Sequence, residues 1–129
     1  MNYVIQINNS PNSSSNGEIA YQFIKAAIAE NHRIRQVFFY REGIYHALKY
    51  ALPPDDEWNM TRRWSELAEQ YEIDLLVCIS AAQRRGLLNQ DEAKRQGKQD
   101  DDLAPGFKIG GLGQFIEAVI QADRLIEFG

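Results

Sequence analysis

The chain contains one cysteine, Cys78, placed where the apolar run "LLVC" ends and "ISAAQRRG" begins. A lone cysteine cannot close an internal disulfide, and without a C-x-x-C pair a dithiol redox cycle within one chain is excluded. What a single thiolate can do unaided is attack a sulfane sulfur and hold it as a persulfide. With no resolving cysteine, that sulfur must then leave to a thiol on another protein. The competing reading is packing, because free cysteine often behaves as a small buried hydrophobe. Position favours chemistry: in parallel α/β sheets, sites gather beyond the carboxyl ends of strands. A helix starting at Cys78 would turn free N–H groups toward the sulfur and favour its thiolate. The relay reading therefore requires a sulfur that is ionised and open to solvent or to a neighbouring chain.

The other reactive residue types are sparse. Arg84 and Arg85 lie one turn beyond Cys78 and either fold back toward it or form a solvated face. His32, in "AENHRIRQ", reads as a surface residue whose cation suits the C-terminal end of a helix. His46, in "REGIYHAL", follows a strand end and is expected half-buried, with a possible approach to the edge that carries Cys78. No general base is assigned. "IGGLGQF", with glycines at 110, 111 and 113, matches neither a dinucleotide fingerprint nor a P-loop, and reads as tight packing of a helix start against a sheet. Tyr40, Arg41 and Glu42 stand at a strand end, as rim residues of the site or as partner contacts. Asp100, Asp101 and Asp102 read as a solvated loop.

The elements that must position these residues alternate between strand and helix. "YVIQI" (3–7), "IRQVFFY" (34–40), "IDLLVC" (73–78) and "RLIEF" (124–128) read as strands, with room for a fifth. Ala20, Phe23, Ile24, Ala27 and Ile28 share one face of a first helix. Pro53-Pro54 stops a short helical piece, and Asp55, Asp56 and Glu57 favour the start of the next helix. That helix carries Trp58, Thr61, Trp64, Leu67, Ala68 and Tyr71 along one stripe. Ser80 and Gln83 have capping-box spacing. Residues 89–105 form a surface excursion, helical around 91–96, and a final helix runs over 110–122. This alternation predicts an α/β fold: a three-layer α/β/α sandwich with a mostly parallel sheet of about five strands.

The totals fit one domain spanning 1–129, and 44% hydrophobic residues suffice for a core. No run approaches the ~20 apolar residues that cross a bilayer. "MNYVIQINNS" looks like a strand and not a signal peptide, so a cytoplasmic, reducing setting is expected. The net charge of -4 argues against direct nucleic-acid binding.

"VFFYREGIYHA", "CISAAQRRG" and "PGFKIGGLGQFIEAVIQADRLIEF" occur in that order along nearly the whole chain. Together they resemble the DsrE/TusD family, most of all its TusD branch. The resemblance implies a sulfurtransferase in which Cys78 is the active cysteine and no cofactor or metal takes part. It implies a heterohexamer with TusB-like and TusC-like subunits. Sulfur would come from a TusA-like carrier and pass as a persulfide to a TusE-like acceptor, toward 2-thiouridine at the tRNA wobble position. A later thiolase handles the tRNA, in keeping with the acidic charge. The loop "NNSPNSSSNGE" departs from the Gly/Pro/Tyr-bearing loop of that branch, which touches partner contacts and not the cysteine. Related DsrE chains serve sulfur oxidation. Two further readings stay open: an interaction subunit with a buried cysteine, and a nucleotide- or flavin-binding domain using "IGGLG".

Overall fold

The computed structural model describes residues 1–129. In chain order it holds β1 (Asn2–Ile7), α1 (Asn16–Ala29), β2 (Arg33–Phe39), a 3-10 segment (Arg41–Ala47), α2 (Met60–Tyr71), β3 (Asp74–Cys78), α3 (Ile79–Arg84), α4 (Gln90–Arg95), β4 (Phe107–Gly110), α5 (Leu112–Gln121) and β5 (Arg124–Phe128). The strands form one sheet in the order β4-β3-β2-β1-β5, and every pairing is parallel.

Topology dictates the layers. From β1 to β4 the chain steps in one direction across the sheet, so right-handed crossovers place α1 and α2 on one face. The connection from β4 to β5 returns across the whole sheet, which puts α5 on the other face. Side-chain alternation agrees. Phe38 stacks on Phe115 of α5 with ring centroids 4.2 Å apart, while its neighbour Phe39 meets Trp64 of α2 edge-on at 5.6 Å. Successive strand residues point to opposite faces, so α2 and α5 sandwich the sheet. Leu75, Leu76, Val77 and Cys78 of β3 are all buried, as a strand covered on both sides requires. Each fully buried Leu or Phe contributes roughly 1.5–3 kcal/mol.

The expected fifth strand is β4, four residues that lie between β3 and solvent. It is too short to show a period, and its pairing to β3 makes it a strand. The last helix accordingly starts at Leu112, with Gly110 closing β4 and Gly111 as N-cap. The acidic triplet 55–57 does not start α2. Asn59 caps that helix, its side-chain oxygen accepting from the Arg62 N–H at 3.0 Å, because an N-cap needs an acceptor placed within three residues of the free amides. Trp58 therefore falls outside α2 and is exposed, and Tyr71 at the helix end is exposed too. Thr61, Trp64, Leu67 and Ala68 form the buried stripe.

The 100–102 triplet is more than a solvated loop. Lys49 Nζ pairs with Asp100 at 2.7 Å, Lys98 Nζ with Asp102 at 2.8 Å, and the Lys49 N–H donates to the Asp102 carbonyl at 3.0 Å. An antiparallel bridge between Leu48 and Leu103 completes a strap that returns the chain to the body before β4.

Candidate sulfur-transfer site

Cys78 is the last residue of β3 and the N-cap of α3. Ser80 thus lies inside α3 and caps nothing, since the helix begins at Ile79, directly after the strand, and makes Cys78 its N-cap. The cysteine side chain makes no capping hydrogen bond to the helix amides. Its polar neighbour is the Ser80 hydroxyl, with Sγ and Oγ 3.4 Å apart. The expectation of an open sulfur is not met in the isolated chain: Cys78 is 1% exposed. The cause is the strand's place inside the sheet. Ile79 and Ser80, the next two residues, are exposed, so the cover over the sulfur is thin along the chain.

On the far side of Cys78 lies β4, with Gly110 as its register partner. A Cβ at Gly110 would sit 2.7 Å from Leu76 Cδ1, so the missing side chain lets the β4–α5 turn close against β3 beside the cysteine.

The arginines beyond Cys78 do not fold back to it. Arg85 donates from Nε and Nη2 to Glu42 Oε1 at 2.9 and 2.7 Å, and from Nη1 to the Ala81 carbonyl at 3.0 Å. Glu42, from the strand-end triplet, thereby ties the 3-10 segment to α3, while Tyr40 stacks on Phe38. Arg84 is exposed.

His46 departs furthest from expectation. It is fully buried, and it sits with Phe39 and Trp64 in the α1/α2 layer. Strand alternation sets Val77 on the face of its register neighbour Phe39, so Cys78 points to the opposite side of the sheet. Trp64 Nε1–H donates to His46 Nδ1 at 3.1 Å, and His46 Nε2–H donates to the Asn9 carbonyl at 3.1 Å. Both ring nitrogens are thus satisfied by a neutral imidazole. Burial lowers its pKa to about 4, against a smaller opposing effect of the Asn9 carbonyl. Gly17 makes room for the ring, since a Cβ there would lie 2.5 Å from His46 Cε1. A tryptophan 18 residues away supplies the hydrogen bond, and no local pattern announces such a partner. His32 is half-buried, and its Nδ1 lies 2.9 Å from the Met1 amino group.

No cluster of three or more His, Cys, Asp or Glu side chains is placed to hold a metal ion. No helix is long and apolar enough to cross a membrane. The DsrE/DsrF-like family model matches residues 1–128. The chain belongs to the DsrE/DsrF-like family. Among its relatives is DsrE of Allochromatium vinosum, named as a candidate sulfurtransferase, with 48% identity over 100% of this chain and 99% of that one. The sulfurtransferase TusD of Serratia proteamaculans is 40% identical over 99% of each chain. That of Cronobacter sakazakii is 38% identical over 99% of this chain and 100% of its own. Both branches of the resemblance are therefore found, and the DsrE relative shares more residues than these two TusD chains. The crystal structure of the Escherichia coli ychN protein superposes with a TM-score of 0.78 at 17% identity, over 99% of this chain and 100% of that one. This family member thus has the five-stranded, all-parallel α/β fold of that structure.

Proposed function

We propose that residues 1–129 act as one DsrE-like sulfurtransferase domain, a cytoplasmic subunit of a sulfur relay, with Cys78 as nucleophile and persulfide carrier. The observation that carries this reading is the placement of the only cysteine at the carboxyl end of β3, in a chain related over its full length to proteins named sulfurtransferases. In the first step the Cys78 thiolate attacks the outer sulfur of a donor persulfide. A bond forms between Sγ and that sulfur, the donor's S–S bond breaks, and the donor leaves as a thiolate. In the second step an acceptor thiolate attacks the outer sulfur held on Cys78 and regenerates the Cys78 thiolate. No net oxidation occurs, and no cofactor is needed.

Ser80 Oγ, at 3.4 Å, can donate a hydrogen bond to the sulfur anion. Ser80→Ala is expected to slow persulfide formation about tenfold with an unchanged melting temperature, in keeping with ~1.5 kcal/mol for one hydrogen bond to a charge. Stopped-flow absorbance with inorganic polysulfide measures this, and an unaltered rate removes the serine from the mechanism. Because Sγ is covered in the isolated chain, transfer requires a local opening around the β3–α3 junction, where Ile79 and Ser80 are exposed.

Donor and acceptor are TusA-like and TusE-like proteins, and the relay feeds 2-thiouridine synthesis without direct tRNA contact. Co-assembly with TusB-like and TusC-like subunits is supported by Leu112, Ile116 and Ile120, which repeat every fourth residue along α5 and are exposed. A second reading, a DsrE-type subunit in sulfur oxidation, is favoured by the 48% identity to the Allochromatium chain.

The deciding experiment is intact-mass analysis after incubation with polysulfide. A gain of one sulfur, removed by reductant and absent in Cys78→Ala, is expected; a wild-type protein that gains none would overturn the reading. Expression in a bacterium lacking its own TusD then separates the routes. Restored 2-thiouridine supports the tRNA relay, and its absence with normal Cys78 loading supports the oxidative one.

A further inference from the structure

The segment between the 3-10 stretch and α2 exposes more apolar surface than a connecting loop needs. Tyr50, Leu52 and Trp58 are 72%, 88% and 71% exposed, within nine residues of chain. Exposed aromatic and aliphatic side chains at this density mark interaction surfaces.

The two rings at the ends of this segment are propped from beneath. The Arg63 guanidinium lies between Trp58, 4.5 Å from its centroid, and Tyr21 of α1, at 3.9 Å, and it pairs with Glu18. Lys49 Nζ lies 5.2 Å from the Tyr50 centroid and is itself held by Asp100 and Asp101. Between them, Pro53 and Pro54 fix the backbone. Cavities of about 950 and 670 Å³ flank the segment, and Ala51 and Leu52 line both, so the segment stands away from the body as a ridge. A ridge held this way loses little conformational entropy when a partner covers it.

Its charge has one sign. Residues 50–58 carry Asp55, Asp56 and Glu57, all exposed, and no basic residue. The ridge follows β2, whose carboxyl end is adjacent to that of β3, and the Glu42–Arg85 pair ties the same connection to α3. It therefore lies at the end of the sheet that carries Cys78, on its α1/α2 side, while the Cys78 side chain points toward the α5 side.

We propose that residues 50–58 are the docking ridge for the acceptor protein that takes sulfur from Cys78, a partner with an apolar pocket for Trp58 and Leu52 rimmed by Lys and Arg. This rests on the persulfide-carrier reading, and the test separates the two. The probes are inorganic polysulfide, which needs no docking, and a purified TusE-like acceptor. The variants are Leu52→Ala/Trp58→Ala and Asp55→Lys/Asp56→Lys/Glu57→Lys, assayed in the full chain co-purified with its partner subunits. Loading by polysulfide should match wild type in both. Transfer to the acceptor at sub-saturating concentration should fall at least about tenfold in both. Raising salt from 50 to 500 mM should slow wild type but not the charge-reversed variant. Wild-type transfer by both variants would overturn the proposal. So would normal transfer with loss of the partner subunits on size-exclusion chromatography, which would make the ridge a subunit contact. A wild-type chain that polysulfide fails to load would refute the carrier reading instead.

Discussion

Cys78→Ser is expected to abolish sulfur transfer, with a loss on the order of a thousandfold or more, as removal of a nucleophile produces. The cause is chemical and not steric. Serine fits the same space, but its hydroxyl stays protonated at neutral pH, whereas the thiolate is the competent nucleophile. Two structural facts shape the controls. The residue is 1% exposed, so a hydroxyl there needs a partner, and Ser80 Oγ, 3.4 Å from the present sulfur, provides one. Cys78→Ala removes the hydrogen-bonding question and leaves only a small cavity, at a cost of about 1 kcal/mol. Both variants should melt within a few degrees of wild type and both should fail to take up sulfur. A serine variant that relays at the normal rate would refute the assignment. Native alkylation kinetics add a second reading of the same residue: labelling limited by local opening over the sulfur should be slow and accelerate when the acceptor protein is added.

Acidification should destabilise the fold through His46 before the carboxylates titrate. The buried ring has its pKa lowered from 6.5 to about 4, chiefly by desolvation. Above pH 6.5 the ring is neutral in both the folded and the unfolded chain, and it contributes no pH dependence. Below 6.5 the unfolded chain takes up a proton that the folded chain refuses until about pH 4, so stability is lost across that window. The full loss is about 3 kcal/mol, most of it present by pH 5. A proton on Nδ1 would also set two donors against each other, because Trp64 Nε1–H already occupies that nitrogen. Urea unfolding at pH 7, 6 and 5 measures the slope, in a range where most carboxylates remain ionised. His46→Gln should lower stability at pH 7 and flatten the slope. An equally steep slope in that variant would assign the effect to other groups.

The contrast between Cys78 and His46 shows what a one-dimensional pattern can carry. "LLVC" (75–78) is continuous in apolar residues, as a strand covered on both faces requires, so the position of the cysteine at a buried strand end was legible. Its degree of burial was not, because exposure depends on β4 and on the β4–α5 turn, both remote in sequence. The reading of His46 as half-buried, with an approach to the Cys78 edge, failed for the same reason. The pattern "REGIYHAL" says nothing of Asn9, Gly17 or Trp64, the residues that close over the ring. Trp58 shows a local error instead: helical spacing placed it on the α2 stripe, but the Asn59 cap starts the helix just beyond it.

The sequence by itself determined the alternation of strands and helices and the presence of one thiol at a strand end, which follow from periodicity and residue type, both local; the family was legible through the resemblance of three motifs. Only the tertiary structure decided which face of the sheet each side chain meets, that the sulfur lies covered beside Ser80, that Arg85 serves Glu42, and that a ridge of exposed rings stands near the same end of the sheet. Those depend on the register of strands and on contacts across tens of residues, which no window of sequence contains.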